Sequence, residues 1–368
     1  MIYVTQPFLP PLNEFIPYLQ EIWKQTRLSN NGPFHQKLEK ALCEYLGVPF
    51  ISIFTNGTLP IMAALHALEI SGEVITTPFS FVATSHALLL SGINPVFVDV
   101  DEKTGNLNHE KIEDAITPKT KAILAVHVFG NPCNTQAIQQ IADKHGLKVI
   151  YDGAHAFGVE KDGKSILNAG HISTLSFHAT KTYNTAEGGA LVCSDEAIKK
   201  KADYYKNFGF SGETDVEMAG INGKMDEIRS SLGLLNLKYI DNAIEKRRQI
   251  TLQYRKELEN IHGLSLLDVM SDVKLNYSYF PVLINKDAYG MSRDALFNKL
   301  KDNNIFARRY FYPLISDFKP YRTLPSAKRE NLPVAAKIAD QVLCLPIYAD
   351  LQKEEVSKIT NIIRENMR

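Results

Sequence analysis

The chain has 368 residues, 45% of them apolar, enough for a substantial globular core and long enough for a large domain with a smaller one beside it. Its 41 basic residues balance 41 acidic ones, so no global basic field exists to draw nucleic acid or an anionic membrane, and neither is expected as a partner. Cys43, Cys133, Cys193 and Cys344 lie far apart with no CxxC or Cys/His pair, which signals neither a zinc or other metal site nor a disulfide framework and favours a reduced, cytoplasmic setting.

The opening MIYVTQPFLPPLNEF has no basic start followed by an apolar stretch, and its prolines interrupt any helix there. Short apolar runs then predict strands at 50–54, 73–76, 95–99, 122–128, 147–151, 173–177 and 189–194. Between them NHEKIEDAI and TQAIQQIADKHG carry helical periodicity, so the expected architecture is α/β: a mostly parallel seven-stranded sheet covered by helices. LLLSGINPVFVDV is broken by Gly92, Asn94 and Pro95 well short of a membrane span. From Asp226 to Glu257 the pattern reads as one long helix, with the charged run Glu245 to Arg248 on a solvated face. SYFPVLIN then predicts a strand, SRDALFNKLKDNN a helix capped by Ser292, and EEVSKITNIIREN a closing helix. The division this implies is a large domain over 1–244 and a small C-terminal α/β domain over 245–368.

Chemistry-bearing residues fall at the ends of these strands. ISIFTNGTLPIMAALHAL passes from strand through Asn56-Gly57-Thr58 into an apolar helix, whose exposed N–H groups favour an anion that Gly57 allows to approach closely. LKVIYDGAHAFG puts Asp152 at the carboxyl end of a buried strand, where open α/β sheets place their ligand chemistry, with His155 in the turn that follows. SFHATKTYNTAEGG sets Lys181 in a polar loop between two apolar strands. Lysine, strand-end aspartate and phosphate cradle together match the needs of pyridoxal 5'-phosphate: an amine for the aldehyde, a carboxylate for the pyridine nitrogen and donors for the phosphate.

These segments, with LSNNGPFHQKLEKAL, VITTPFSFVATSHALLLSGINPVFVDVD, AVHVFGNPCN and GINGKMDEIRSSLGLLNLKYID, occur in an order that resembles the DegT/StrS family of sugar-nucleotide aminotransferases. The resemblance implies the aspartate aminotransferase fold (fold type I) and a pyridoxal-phosphate aminotransferase. It implies Lys181 as the Schiff-base lysine, Asp152 as the partner of the pyridine nitrogen and His155 near the cofactor's phenolic oxygen. Gly57, Thr58 and Ser176 would form the phosphate cup, and Phe81 would stack on the pyridine ring. Asn222 would reach the phosphate of the neighbouring subunit's cofactor in a homodimer. Many members carry arginine where this chain has Lys224, a point charge in place of a bidentate fork.

The resemblance further implies L-glutamate as donor, 2-oxoglutarate as its product and a nucleotide-linked ketosugar as acceptor. FHATK followed by EGG is similar to the branch that aminates carbon 4, implying dTDP-4-keto-6-deoxy-D-glucose as substrate and dTDP-4-amino-4,6-dideoxy-D-glucose as product, for polysaccharide such as O-antigen. UDP- and GDP-linked ketosugars, a 3-ketosugar, and a non-catalytic cofactor-binding regulator or scaffold stay open at this point. Tyr183, Tyr310, Tyr312 and Arg309 are candidate substrate contacts, with Arg308 a second candidate for a pyrophosphate. A related dehydratase would have histidine in place of Lys181, and a cysteine desulfurase would need a loop cysteine that this chain does not show.

Overall fold

The computed structural model describes residues 1–268, 270 and 272–367. Seven strands, Phe50–Phe54 (β1), Glu73–Thr76 (β2), Asn94–Phe97 (β3), Thr120–Val126 (β4), Lys148–Asp152 (β5), Ile172–Ser176 (β6) and Gly189–Cys193 (β7), form one sheet of order β1-β7-β6-β5-β4-β2-β3. Every pairing is parallel except those of β7, which runs antiparallel to both β1 and β6. Each strand matches an expected one to within a few residues. The near-continuous apolar runs follow from burial on both faces, which the helix-covered parallel sheet requires.

This topology places the carboxyl ends of β1, β5 and β6 and the amino end of β7 along one edge. Gly189 stands opposite both Phe54 and Ser176 there. A Cβ on Gly189 would lie 2.3 Å from the Asn56 carbonyl oxygen, so the second glycine of the EGG run lets the β1 and β7 chains close together.

The C-terminal part builds its own core on a three-stranded antiparallel sheet of Leu264–Leu266, Phe280–Ile284 and Val342–Leu345, with Leu343, Leu345, Tyr254, Leu296 and Ile359 buried against it. Ile2–Tyr3 pairs in parallel with Ile305–Phe306, so the first residues of the chain belong to this layer. The helix Ile240–Glu257 runs across residue 245, where the sequence divides the chain. Ser292 caps Arg293–Asp302, its hydroxyl accepting from the Ala295 N–H at 3.2 Å, and Lys353–Glu365 is the closing helix. No helix among the described residues is long and apolar enough to cross a membrane.

Four local expectations need correction. NHEKIEDAI forms two 3₁₀ turns, His109–Lys111 and Glu113–Ala115, because Ile112 turns fully inward between them and the Asn108 side chain closes the first. The stretch 226–257 is two helices, Glu227–Asn236 and Ile240–Glu257, separated where the Lys238 and Tyr239 N–H groups bond carbonyls only three residues back. At the N-terminus a helix, Leu12–Gln25, begins directly after Pro11 and accommodates Pro17. Within the charged run, Arg248 pairs with Glu245 at the surface, but Arg247 is buried and donates to the carbonyls of Tyr277, Ser278 and Ile347.

Candidate functional site

A cleft of about 390 Å³ opens at the shared strand edge. Its floor comes from the large sheet and the helices Thr58–Ala67 and Ala83–Leu90, and one wall from Tyr279, Arg308, Tyr310 and Phe311 of the C-terminal part. Gly57, Thr58, Phe81, Asp152, His155, Ser176, Lys181 and Tyr310 all line it, although 253 residues separate Gly57 from Tyr310 in sequence. Lys181 sits in the loop joining β6 to β7, with its Nζ 3.5 Å from the Tyr279 hydroxyl.

Asp152 is 6% exposed at the end of β5. Its two oxygens accept from the Thr84 hydroxyl at 2.7 Å and the Ala154 N–H at 3.0 Å, and Thr84 in turn bonds Ser80 at 2.8 Å. Burial pushes the Asp152 carboxyl up; those hydrogen bonds and the Lys181 charge offset it only in part. A protonated ring nitrogen beside it would therefore find a carboxylate short of a full countercharge. Burial brings Lys181 down to about 8, with the Asp152 charge opposing, so about a tenth of the lysine is free amine at pH 7 and about half at pH 8, far more than for a solvated lysine.

His155 is also buried, and desolvation, reinforced by the Lys181 charge, holds it well below the usual imidazole range. Its Nδ1 accepts the Phe129 N–H at 3.2 Å, which assigns the ring proton to Nε2. The ring lies parallel to Phe311 at 5.8 Å and edge-on to Tyr279 at 4.8 Å. A neutral N–H donor held in this way can give a hydrogen bond to a phenolic oxygen without adding a cation to the cleft.

At the opposite end, the start of the Thr58–Ala67 helix faces Ser176. The Asn56 side-chain oxygen accepts from the N–H groups of Thr58 and Leu59 at 3.0 and 3.1 Å and fixes the turn. A Cβ at Gly57 would fall 2.7 Å from the Ser176 Cβ and 2.9 Å from its hydroxyl, so this cradle closes only around glycine. The aldehyde, ring nitrogen and phosphate of pyridoxal phosphate thus find an amine, a buried carboxylate and a helix terminus flanked by hydroxyls in one cleft, and the residues fit the group. Gly57→Ala is expected to raise the dissociation constant for pyridoxal phosphate about tenfold or more and to lower Tm by roughly 2–4 °C, because the new methyl meets the Ser176 Cβ at 2.7 Å and its Cα at 3.1 Å and forces the two strand ends apart. Fluorescence titration of the apoprotein checks this, and a wild-type constant would remove the cradle from the phosphate.

Three of the candidate substrate contacts lie elsewhere. Tyr183, only two residues from Lys181, is 1% exposed in the core, stacked on Phe157 at 4.3 Å and edge-on to Phe177. Arg309 turns away to pair with Asp294 at 2.9 Å, and Tyr312 is occupied by Arg293 and Arg309 over its ring. Arg308 is the arginine that lines the cleft, because consecutive side chains alternate along the extended segment that bridges to Cys344. Asn222 is exposed and outside the cleft of its own chain. Thr84, Ser80 and Tyr279 escaped the sequence reading. Thr84 and Ser80 lie in the quoted segment that contains Phe81, but nothing in it marks a carboxylate partner 68 residues away.

The profile of the DegT/DnrJ/EryC1/StrS aminotransferase family matches residues 12–364. The chain is 52% identical over 364 residues to a dTDP-4-amino-4,6-dideoxy-D-glucose transaminase of Shigella dysenteriae, covering 99% of this chain and 98% of the relative. It is equally 52% identical, over 365 residues and with the same coverage, to an Escherichia coli protein of the same name. Among solved structures, DesI in the presence of its TDP-sugar product superposes with a TM-score of 0.95 at 32% identity, covering 99% of this chain and 92% of DesI.

Proposed function

The chain belongs to the DegT/DnrJ/EryC1/StrS aminotransferase family and is a pyridoxal-phosphate-dependent aminotransferase, and on that premise we propose that it moves an amino group from L-glutamate to carbon 4 of dTDP-4-keto-6-deoxy-D-glucose. The product is dTDP-4-amino-4,6-dideoxy-D-glucose, a precursor for polysaccharide such as O-antigen, and 2-oxoglutarate is released. The observation that carries the substrate is 52% identity, sustained over nearly the whole chain, to two transaminases named for that product.

The cofactor, when bound, supplies an aldehyde that condenses with amines and a protonated ring that withdraws electrons from the bond being broken. The protein's own groups do the rest. Lys181 Nζ, whose proton affinity burial lowers toward neutral pH, takes the proton from the donor's α-carbon and later returns a proton to carbon 4 of the sugar. Asp152 holds the ring proton at its carboxylate, itself fixed by Thr84 and Ala154. His155 would donate from Nε2 toward the phenolic oxygen, Gly57, Thr58 and Ser176 would hold the phosphate, and Phe81 would cover the ring, all of them lining the same cleft.

At the cleft mouth Arg308 supplies a guanidinium, and no carboxylate among the described residues forms an ion pair with it. We assign it to the diphosphate, with Tyr310 beside it toward the sugar. Arg308→Ala is expected to raise KM for the sugar nucleotide about tenfold, and Arg309→Ala to leave it within about twofold. Steady-state kinetics on both variants decide this, and equal effects would return Arg309 to the site.

The same reading includes a homodimer in which Asn222 reaches the phosphate held by the neighbouring subunit, and its exposed position outside its own cleft supports this. The four free thiols support a cytoplasmic setting. The direct test is incubation with pyridoxal phosphate, glutamate and dTDP-4-keto-6-deoxyglucose. Mass spectrometry and proton NMR should show a carbon-4 amine with gluco ring couplings. No product from this substrate but amination of a UDP- or GDP-linked ketosugar would replace the nucleotide in the proposal.

A further inference from the structure

Tyr279 stands apart from the residues that the sequence pointed to, because it comes from the C-terminal part and places its hydroxyl 3.5 Å from Lys181 Nζ. At that separation the contact is at the long end of hydrogen bonding, and active-site bonds in ligand-free enzymes commonly tighten once the site is loaded. The surroundings fix where the hydroxyl can be. Asn276, 1% exposed, donates from Nδ2 to the carbonyls of His155 and Phe157, both at 2.9 Å. Ser278 donates to the same His155 carbonyl at 2.8 Å and meets the Thr182 hydroxyl at 3.1 Å. From behind, the buried Arg247 guanidinium donates to the carbonyls of Tyr277 and Ser278 at 3.3 and 3.4 Å. The Tyr279 ring is then confined by His155 on its edge and by Tyr310, perpendicular at 5.7 Å.

A buried arginine and a buried asparagine thus anchor residues 276–278, the segment that leads directly into Tyr279. Such an arrangement leaves the phenol little freedom except rotation of its O–H. We propose that Tyr279 is a positioning residue for Lys181: its hydroxyl oxygen accepts one N–H of the lysine amine and so aims the nitrogen lone pair into the cleft. A free lysine amine at the end of four single bonds otherwise samples many rotamers, and only those with the lone pair directed at the substrate's carbon can take its proton. Burial raises the Tyr279 phenol above its usual range, so the group stays protonated and neutral while it accepts. The same contact also joins the C-terminal part directly to the reactive lysine of the large sheet.

The proposal rests on Lys181 being the reactive amine, and its test needs no sugar nucleotide. In apoprotein, the pH at which Lys181 becomes reactive is read by reductive methylation with formaldehyde and peptide mass spectrometry. The charged and titratable groups on the same cleft, Asp152, His155, His178, Glu187, Tyr310 and Arg308, with Arg247 behind the ring, are all retained in Tyr279→Phe. Loss of an acceptor for the ammonium N–H disfavours the charged form, so the midpoint is expected to fall by roughly half a unit to one unit.

In the holoenzyme, the rate of the glutamate half-reaction is expected to drop about 10- to 100-fold, with KM for glutamate within about twofold. A midpoint that stays or rises, or a half-reaction rate within about twofold of wild type, overturns the assignment. Should Tyr279→Phe fail to fold, Tyr279→Leu removes the same oxygen and carries the same two readouts. Failure of the wild-type enzyme to aminate any 4-ketosugar would overturn the substrate reading alone, since neither readout involves the acceptor.

Discussion

Lys181→Ala is expected to lower kcat for sugar amination by about a thousandfold or more, because the variant loses both the amine that engages the cofactor and the group that moves the proton. Proton transfer by a positioned side chain contributes roughly 10²- to 10⁴-fold, and no second amine is at hand, since Lys181 is the lysine that lines the cleft. The fold should survive. Lys181 has no ion pair among the described residues, and its depressed proton affinity records a cost of keeping the ammonium in this environment. The variant should therefore melt at or slightly above the wild-type temperature in the apo form, while losing the cofactor absorbance that depends on a covalent link. Pyridoxal phosphate should still bind through Gly57, Thr58 and Ser176, more weakly and removable by dialysis. Multiple-turnover activity at the wild-type rate would remove Lys181 from the mechanism; a collapsed, unfolded variant would show instead that its role is structural.

How much of this was legible beforehand depends on how local the signal is. All seven strands of the main sheet were readable, because burial on both faces leaves an apolar run in the sequence wherever a strand passes. Lys181, Asp152 and Gly57 were readable for a related reason: each sits at a strand end, where the run stops and a polar or glycine-bearing turn begins. Side-chain direction was not. Tyr183 and Lys181 are two residues apart, yet one packs on Phe157 in the core and the other faces the cleft. Arg308 and Arg309 are adjacent, and the extended backbone sends one to the cleft and the other to Asp294. Contacts across long sequence distances were also invisible. Thr84 meets Asp152 from 68 residues away and Tyr279 meets Lys181 from 98, through a sheet order that puts β5 beside β6 and brings the C-terminal wall across both. Charge patterning misled in one place, where Arg247 looks like part of a solvated run but turns inward to hold the segment that bears Tyr279.

Asp152 should separate cofactor binding from catalysis. Asp152→Asn keeps the shape of the side chain and leaves the phosphate cradle untouched at the other end of the cleft, so bound cofactor should persist. The ring nitrogen, however, loses the negative charge that keeps it protonated, and the electron sink weakens when the substrate's carbon–hydrogen bond must break. A fall in kcat of about 10²- to 10⁴-fold is expected, with KM for glutamate little changed. Asp152→Ala should lose at least as much rate and still retain cofactor. Thr84→Val probes the same interaction at one remove: it deletes the 2.7 Å hydrogen bond that steadies the carboxylate and should cost roughly 3- to 30-fold.

The apoprotein supplies an independent readout. Burial raises the native carboxyl above its unfolded value, so ionisation destabilises the native state once the pH exceeds the unfolded value, and that penalty is absent in acid. Apo Asp152→Asn should therefore melt no lower than wild type at pH 8, and any advantage should shrink as the pH is lowered into the carboxylate range. Binding the cofactor reverses the balance, because the protonated ring nitrogen gives the wild-type carboxylate the partner it lacks and the amide gains nothing comparable. The stabilisation conferred by saturating pyridoxal phosphate should thus be larger for wild type than for Asp152→Asn, measured as the shift in Tm between apo and holo forms. Equal shifts together with an unchanged kcat would mean that the ring nitrogen is held elsewhere, and that Asp152 serves the strand end rather than the cofactor.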